Sequence, residues 1–173
     1  MGKRDPIAFT QNTRVLFVCM ANICRSSMAE GVFRHMVGQA GLDGVVTVAS
    51  AGTHAFHEGE APDKRAQLAA QKRGYRIEDQ RATKITAELI AQFDLVLAMD
   101  WDNHALLQQI APKSEQHKIQ LLMRFASDHE SAIIPDPYYG NQGGFEMVLD
   151  YIEDACSGLL EVAKRRATQV AAA

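Results

Sequence analysis

The chain has 173 residues, of which 47% are apolar and 23% charged, with a formal net charge of −3. That length suits one domain with a real core, and the charge supplies no broad basic field for nucleic acid or anionic lipid. No apolar stretch approaches the roughly 20 residues that span a bilayer, so neither a nucleic-acid nor a membrane partner is expected.

Residues 1–13 read as a polar lead-in, equally compatible with a tag or an extended native terminus, and 14–170 as a single domain. The opening Met-Gly-Lys-Arg-Asp-Pro lacks the apolar segment of a signal peptide. Pro6 stands where a myristoylation signal takes Ser or Thr. Three cysteines without a regular framework point to a reducing, cytoplasmic setting. Strands are predicted at 14–19, 45–50, 94–99 and 118–122, and helices at about 26–40, 61–73, 101–110 and 143–168. Gly41 and Gly44 punctuate the end of the first helix, Pro62 suits the first turn of the second, and Gly74 suits its C-terminal cap. Strands and helices alternating in this way predict an α/β fold. Its sheet is parallel, carries helices on both faces in three layers, and has right-handed crossovers.

The run Val15-Leu16-Phe17-Val18-Cys19 ends in a thiol and continues through Met20-Ala21-Asn22-Ile23-Cys24-Arg25-Ser26. It reads as a buried strand, a tight loop and the start of a helix. A thiol at the carboxyl end of such a strand faces the crevice where open α/β sheets bind ligands. The loop amides and the positive end of the helix dipole converge on one point. Arg25 adds a guanidinium that grips oxyanions bidentately. That field favours the thiolate of Cys19, and thiolate, anion cradle and arginine together specify displacement at phosphorus. Taken alone, Cys19 also reads as a small buried hydrophobe. Asn22 suits a left-handed backbone position in the loop, and Ser26 suits an N-cap. Asp136-Pro137 has the form of an ordinary turn initiator, but it follows the last strand, near the sheet's carboxyl edge. There a carboxylic acid is placed to protonate a departing oxygen.

Cys-x5-Arg is a weak pattern by itself. Continued as Ser26-Ser27-Met28-Ala29-Glu30, it resembles the loop of the low-molecular-weight protein tyrosine phosphatases. Ser50-Ala51-Gly52-Thr53, Pro62-Asp63 with Arg65, Met99-Asp100 with Asn103, and Asp136-Pro137-Tyr138-Tyr139-Gly140 follow in that family's order, over about residues 13–165. The resemblance implies a four-stranded sheet ordered 2-1-3-4 with the phosphate loop after the first strand. It also implies hydrolysis of phosphotyrosine in proteins through a phosphocysteine, without metal or cofactor, and with inorganic phosphate as product inhibitor.

On this resemblance Cys19 is the nucleophile and Asp136 the general acid. Arg25 and the loop residues Met20, Ala21, Asn22, Ile23 and Cys24 hold the phosphate. The Ser26 hydroxyl hydrogen-bonds the thiolate, a role compatible with capping, and Ser50 braces Asn22. Phe56 and Tyr138 wall a slot for the substrate ring, with Tyr139 beside them. Cys24 has two readings: an inward-packing loop residue, or a partner that forms a reversible disulfide with Cys19. Cys156 reads as core. His54 and His57 lack a third ligand of suitable spacing for a metal.

The chain departs from the family pattern at Ala21 (usually Gly), Ser27 (usually Pro), Phe56 (often Trp or Tyr) and Gln80 (often a His that supports the loop asparagine). Three rival functions fit the sequence less well. Arsenate reduction needs further cysteines after the second crossover, and 75–95 contains none. A silent phosphate-binding module is disfavoured by intact Cys19, Arg25 and Asp136. Protein-arginine phosphatases resemble this chain, but their loop carries Thr where this one has Ile23.

Overall fold

The computed structural model describes residues 12–172. Most of the 1–13 lead-in therefore lies outside the described residues, and its last residue, Thr13, already belongs to the sheet. Strand β1 is Thr13–Cys19, followed by helix α1 (Arg25–Gln39), β2 (Val46–Gly52), α2 (Lys64–Lys72), α3 (Ala87–Ala91) and β3 (Leu95–Ala98). Then come α4 (Trp101–Ile110), β4 (Ile119–Leu121) and α5 (Gln142–Ala172), with 3₁₀ turns at Lys113–Lys118 and Leu122–Phe125. The four strands are parallel in the order β2-β1-β3-β4, as the family resemblance implied.

Period-two alternation along β1 divides the core. Val15, Phe17 and Cys19 pack with buried residues of α1, α2 and α5, whereas Leu16 and Val18 pack with Ile90 of α3 and Leu107 of α4. Both faces are thus covered, which is why the strand is apolar throughout. Full burial of each Leu, Phe or Val stabilises by about 1.5–3 kcal/mol, so β1 anchors the centre of the molecule. The rings of Phe17 and Phe33 meet edge to face, with centroids 5.7 Å apart. Helix α5 contributes a one-sided stripe, including Phe145, Leu149, Ile152 and Cys156, all buried. Cys156 is core, as expected.

Gly41 and Gly74 close α1 and α2 at φ +70° and +86°. In each case the next residue's N–H reaches back into the helix, from Leu42 to the Val37 carbonyl and from Tyr75 to the Ala70 carbonyl. Pro62 is not in the first turn of α2. Asp63 takes the N-cap, accepting from the Arg65 N–H at 2.8 Å, and the helix starts after it. Helix α3 and the two 3₁₀ turns were not foreseen, because elements of four to six residues are too short to show a helical period.

Candidate active site

Parallel strands bring their carboxyl ends to one edge, so Cys19 at the end of β1 lies opposite Gly52 at the end of β2. Gly52 is glycine because the loop after Cys19 runs directly over it. A Cβ there would stand 2.8 Å from the Met20 carbonyl oxygen and 2.9 Å from the Ala21 carbonyl carbon. Asn22 adopts φ +59°, the only positive φ outside glycine among the described residues. Ala21 therefore sits at an angle its Cβ accepts, and that departure from the family pattern costs no backbone strain there.

A chain of hydrogen bonds braces this loop from behind. The Asn22 side-chain amide donates to the Ser26 hydroxyl at 2.8 Å and to the Ser50 hydroxyl at 2.9 Å, and its carbonyl oxygen accepts from the Thr83 N–H at 3.0 Å. Ser50 in turn donates to Glu30 Oε1 at 2.9 Å. Burial pushes the Glu30 carboxyl up, while Arg34 and Ser50 offset part of that rise. Ser26 Oγ lies 2.9 Å from Cys19 Sγ. A thiolate only accepts, so in that state the hydroxyl donates to sulfur. Ser26 is the second residue of α1, not its N-cap; Cys24 is the N-cap and supplies no side-chain bond. The first amides of α1 thus lack a side-chain acceptor, the condition under which a helix N-terminus takes an anion.

Arg25 is 2% exposed. Its Nη1 donates to Asp100 Oδ2 at 2.7 Å and to the Ile134 carbonyl at 2.9 Å, and its Nη2 stands 3.6 Å from Asp136 Oδ2. Burial disfavours the charged guanidinium, but a Cys19 thiolate, Asp100 and Asp136 outweigh it and hold the charge more firmly than usual. Asp100 also caps α4 through the Asn103 N–H at 2.8 Å, so one carboxylate fixes both a helix and the arginine. Removing one partner of a buried charge pair typically costs about 3–5 kcal/mol. Sequence reasoning noted Asp100 only as part of a family pattern. Its position just past the end of β3, beside β1, was the available signal.

A pocket of about 260 Å³ opens here, lined by Cys19, Met20, Ala21, Ile23, Cys24, Arg25, Phe56, His57, Asp136, Tyr138 and Tyr139. Asn22 and Ser26, also expected at the substrate, lie behind its wall, where they support Cys19 and the loop. His57 joins the pocket instead, with Nδ1 2.6 Å from Glu60 Oε2, whereas His54 meets the Thr53 hydroxyl and stacks on Phe56. Phe56 is 67% exposed and Tyr139 95%, so both stand at the mouth. The Asp136 carboxylate accepts from the Tyr138 N–H at 3.0 Å.

A sequence profile described as low molecular weight phosphotyrosine protein phosphatase matches residues 14–169. The chain belongs to that family. A low molecular weight protein-tyrosine-phosphatase of Streptomyces coelicolor is 40% identical over 156 residues, 88% of this chain and 94% of the relative. The crystal structure of a protein tyrosine phosphatase from Entamoeba histolytica superposes with a TM-score of 0.86 at 34% identity, over 89% of this chain and 98% of that one. A Drosophila arginine phosphatase, also a crystal structure, superposes with a TM-score of 0.81 at 34% identity, over 87% and 97%.

Two further departures of this phosphatase acquire a physical reading. Ser27 donates from its hydroxyl to the Asn22 carbonyl at 2.9 Å, a bond that proline could not make. Gln80 does not reach the Asn22 side chain; its amide donates to the Ser27 carbonyl at 3.0 Å, while Asn22 is held by Thr83. Cys24 is buried in the pocket wall. Burial, then Asp63, Cys19 and Asp136, push its thiol far up, against the opposing pull of Arg65, so Cys24 stays protonated at neutral pH.

Proposed function

We propose that this tyrosine phosphatase works through Cys19, Arg25 and Asp136. The observation that carries the reading is their convergence in one pocket between Phe56 and Tyr138. Cys19 sulfur attacks phosphorus, the bond from phosphorus to the phenolic oxygen breaks, and the proton of Asp136 passes to that oxygen. Arg25 and the loop amides hold the equatorial oxygens. Asp136 then takes a proton from water, which attacks the phosphocysteine, releasing inorganic phosphate and restoring the thiolate. Phosphate itself fits the same cradle and inhibits as product. A reduced Cys19 is required throughout, which suits a cytoplasmic setting. No helix among the described residues is long and apolar enough to cross a membrane.

Fold alone does not separate phosphotyrosine from phosphoarginine, since the Drosophila relative is an arginine phosphatase. Ile23 supports the tyrosine reading. It lines the pocket with a branched apolar chain and leaves the N–H donors of a phosphoguanidinium unpaired. An unmet buried polar group costs about 1–3 kcal/mol, roughly ten- to hundredfold in discrimination. kcat/KM should therefore be higher on phosphotyrosine peptides than on phosphoarginine peptides, and Ile23→Thr should narrow or reverse the ratio. A wild-type preference for phosphoarginine would remove the specificity reading and leave the phosphatase assignment standing.

Cys24 in the same wall supports redox control. Peroxide oxidises Cys19 to a sulfenic acid, and the Cys24 thiol condenses with it, forming the S–S bond and releasing water. Mild peroxide treatment should give a Cys19–Cys24 link in mass spectra, reversed by dithiothreitol and prevented by phosphate. Cys24→Ser should recover poorly, because Cys19 then proceeds to irreversible oxides. Absence of the link in the wild type would count against this role.

A further inference from the structure

We propose that Arg65, which lies outside the pocket, is a positioning residue that holds the Asp136–Gly140 segment in register with the phosphate loop. Its guanidinium chelates Asp63, Nε to Oδ1 and Nη2 to Oδ2, each at 3.0 Å. The Asp63 N–H donates to the carbonyl of Ile23 in the phosphate loop at 2.9 Å. On its other side, Arg65 Nη1 donates to the Gly140 carbonyl at 3.2 Å, and the guanidinium lies 5.5 Å from the Tyr138 ring centroid and 4.8 Å from that of Phe145.

Gly140 closes a turn onto the Pro137 carbonyl at 2.9 Å, and within that turn the Tyr138 N–H holds Asp136 Oδ1. One planar fork therefore bridges the loop that cradles the phosphate and the turn that carries the acid. Arg65 meets no reacting atom; its contacts with Gly140 and Tyr138 hold the turn that carries Asp136, and its effect on leaving-group protonation runs through that acid. A lysine ammonium, being a point charge, cannot chelate one carboxylate through two edges and also reach a carbonyl in the same plane. Burial favours protonation of Asp63, but the Arg65 hydrogen bonds outweigh it and hold the carboxyl below its ordinary range. The clasp is therefore intact wherever free carboxylates are ionised, and is lost as pH falls below that range.

The inference rests on Asp136 acting as the general acid, so Asp136→Asn is measured beside Arg65→Met and Arg65→Lys, with thermal unfolding of each. Displacing a catalytic group by about 1 Å can cost as much as about a hundredfold. In both Arg65 variants, kcat/KM on phenyl phosphate should fall by about ten- to hundredfold, and on p-nitrophenyl phosphate by less than about threefold, since the better leaving group needs little protonation. Inhibition by phosphate should stay within about twofold of wild type, because the loop is held through the Asp63 backbone N–H, which both substitutions keep. A helix-capping role alone would lower the unfolding temperature and reduce turnover of both substrates equally. That outcome, or no loss at all, overturns the inference if Asp136→Asn discriminates between the substrates. If Asp136→Asn does not discriminate, the general-acid assignment fails and the role of Arg65 falls with it.

Discussion

Cys19→Ser should reduce turnover of p-nitrophenyl phosphate by at least about 10⁴-fold while leaving phosphate bound. Serine and cysteine differ by one atom, but a serine hydroxyl stays un-ionised at the end of β1, where no general base is aimed at it. Its nearest polar partner, Ser26 at 2.9 Å from the native sulfur, is another hydroxyl. The anion cradle does not depend on the sulfur. Arg25 is held by Asp100 and the Ile134 carbonyl, and the loop is held by Asn22, Ser50 and Thr83. Titration calorimetry with inorganic phosphate should therefore return an affinity within about threefold of wild type. Turnover within tenfold of wild type would end the nucleophile assignment, and loss of phosphate binding would show that the cradle needs the thiolate.

Asp136→Asn should lower kcat/KM, which reports the steps through departure of the phenol, by about 10²–10⁴-fold on phenyl phosphate and by much less on p-nitrophenyl phosphate. The asparagine oxygen can still accept from the Tyr138 N–H, so the turn is kept, but the amide has no proton to transfer. The phenolate must then leave bare, and the more basic the leaving group, the larger the loss. A series of substituted phenyl phosphates should give a steeper dependence of log kcat/KM on leaving-group basicity in the variant than in the wild type. Equal losses along the series would assign Asp136 to binding, through its ion pair with Arg25 at 3.6 Å.

The parts of this molecule that were legible in the chain are the local ones. Strand β1, the loop after Cys19 and helix α1 are contiguous, so an apolar run, a turn residue and a helix start suffice to read them. The positive φ of Asn22 was read from its short amide side chain and the closure at Gly74 from the absence of a Cβ, whereas Gly41 and Gly44 both suited the end of α1 and only Gly41 takes a positive φ. The two-sided burial of the sheet followed from alternating strands and helices. The order of the strands did not; it came from the family resemblance. Pro62 misled because a proline before a helix and a proline in its first turn look alike until the capping residue is known, and here Asp63 takes that role. Gln80 stands in register with a histidine of the family pattern, yet its amide reaches the Ser27 carbonyl, a contact that the position alone does not disclose.

What residue types and spacing suggested, and the resemblance to a known family carried further, is a phosphate loop at a strand-to-helix junction, with a thiol at its start, an arginine at its end and a carboxylic acid further on. Those are properties of short segments, set by backbone preference and side-chain chemistry. Which groups support them depended on how the chain folds back on itself. Asp100 grips Arg25 from 75 positions away, Ser50 reaches Asn22 across 28, and Arg65 reaches Gly140 across 75. No periodicity records such pairings, because each partner also satisfies a local rule, as a helix cap, a strand residue or a surface cation. Packing decided them: parallel strands must deliver their carboxyl ends to one edge, and a guanidinium buried there must find acceptors from whichever segments that edge brings within about 3 Å.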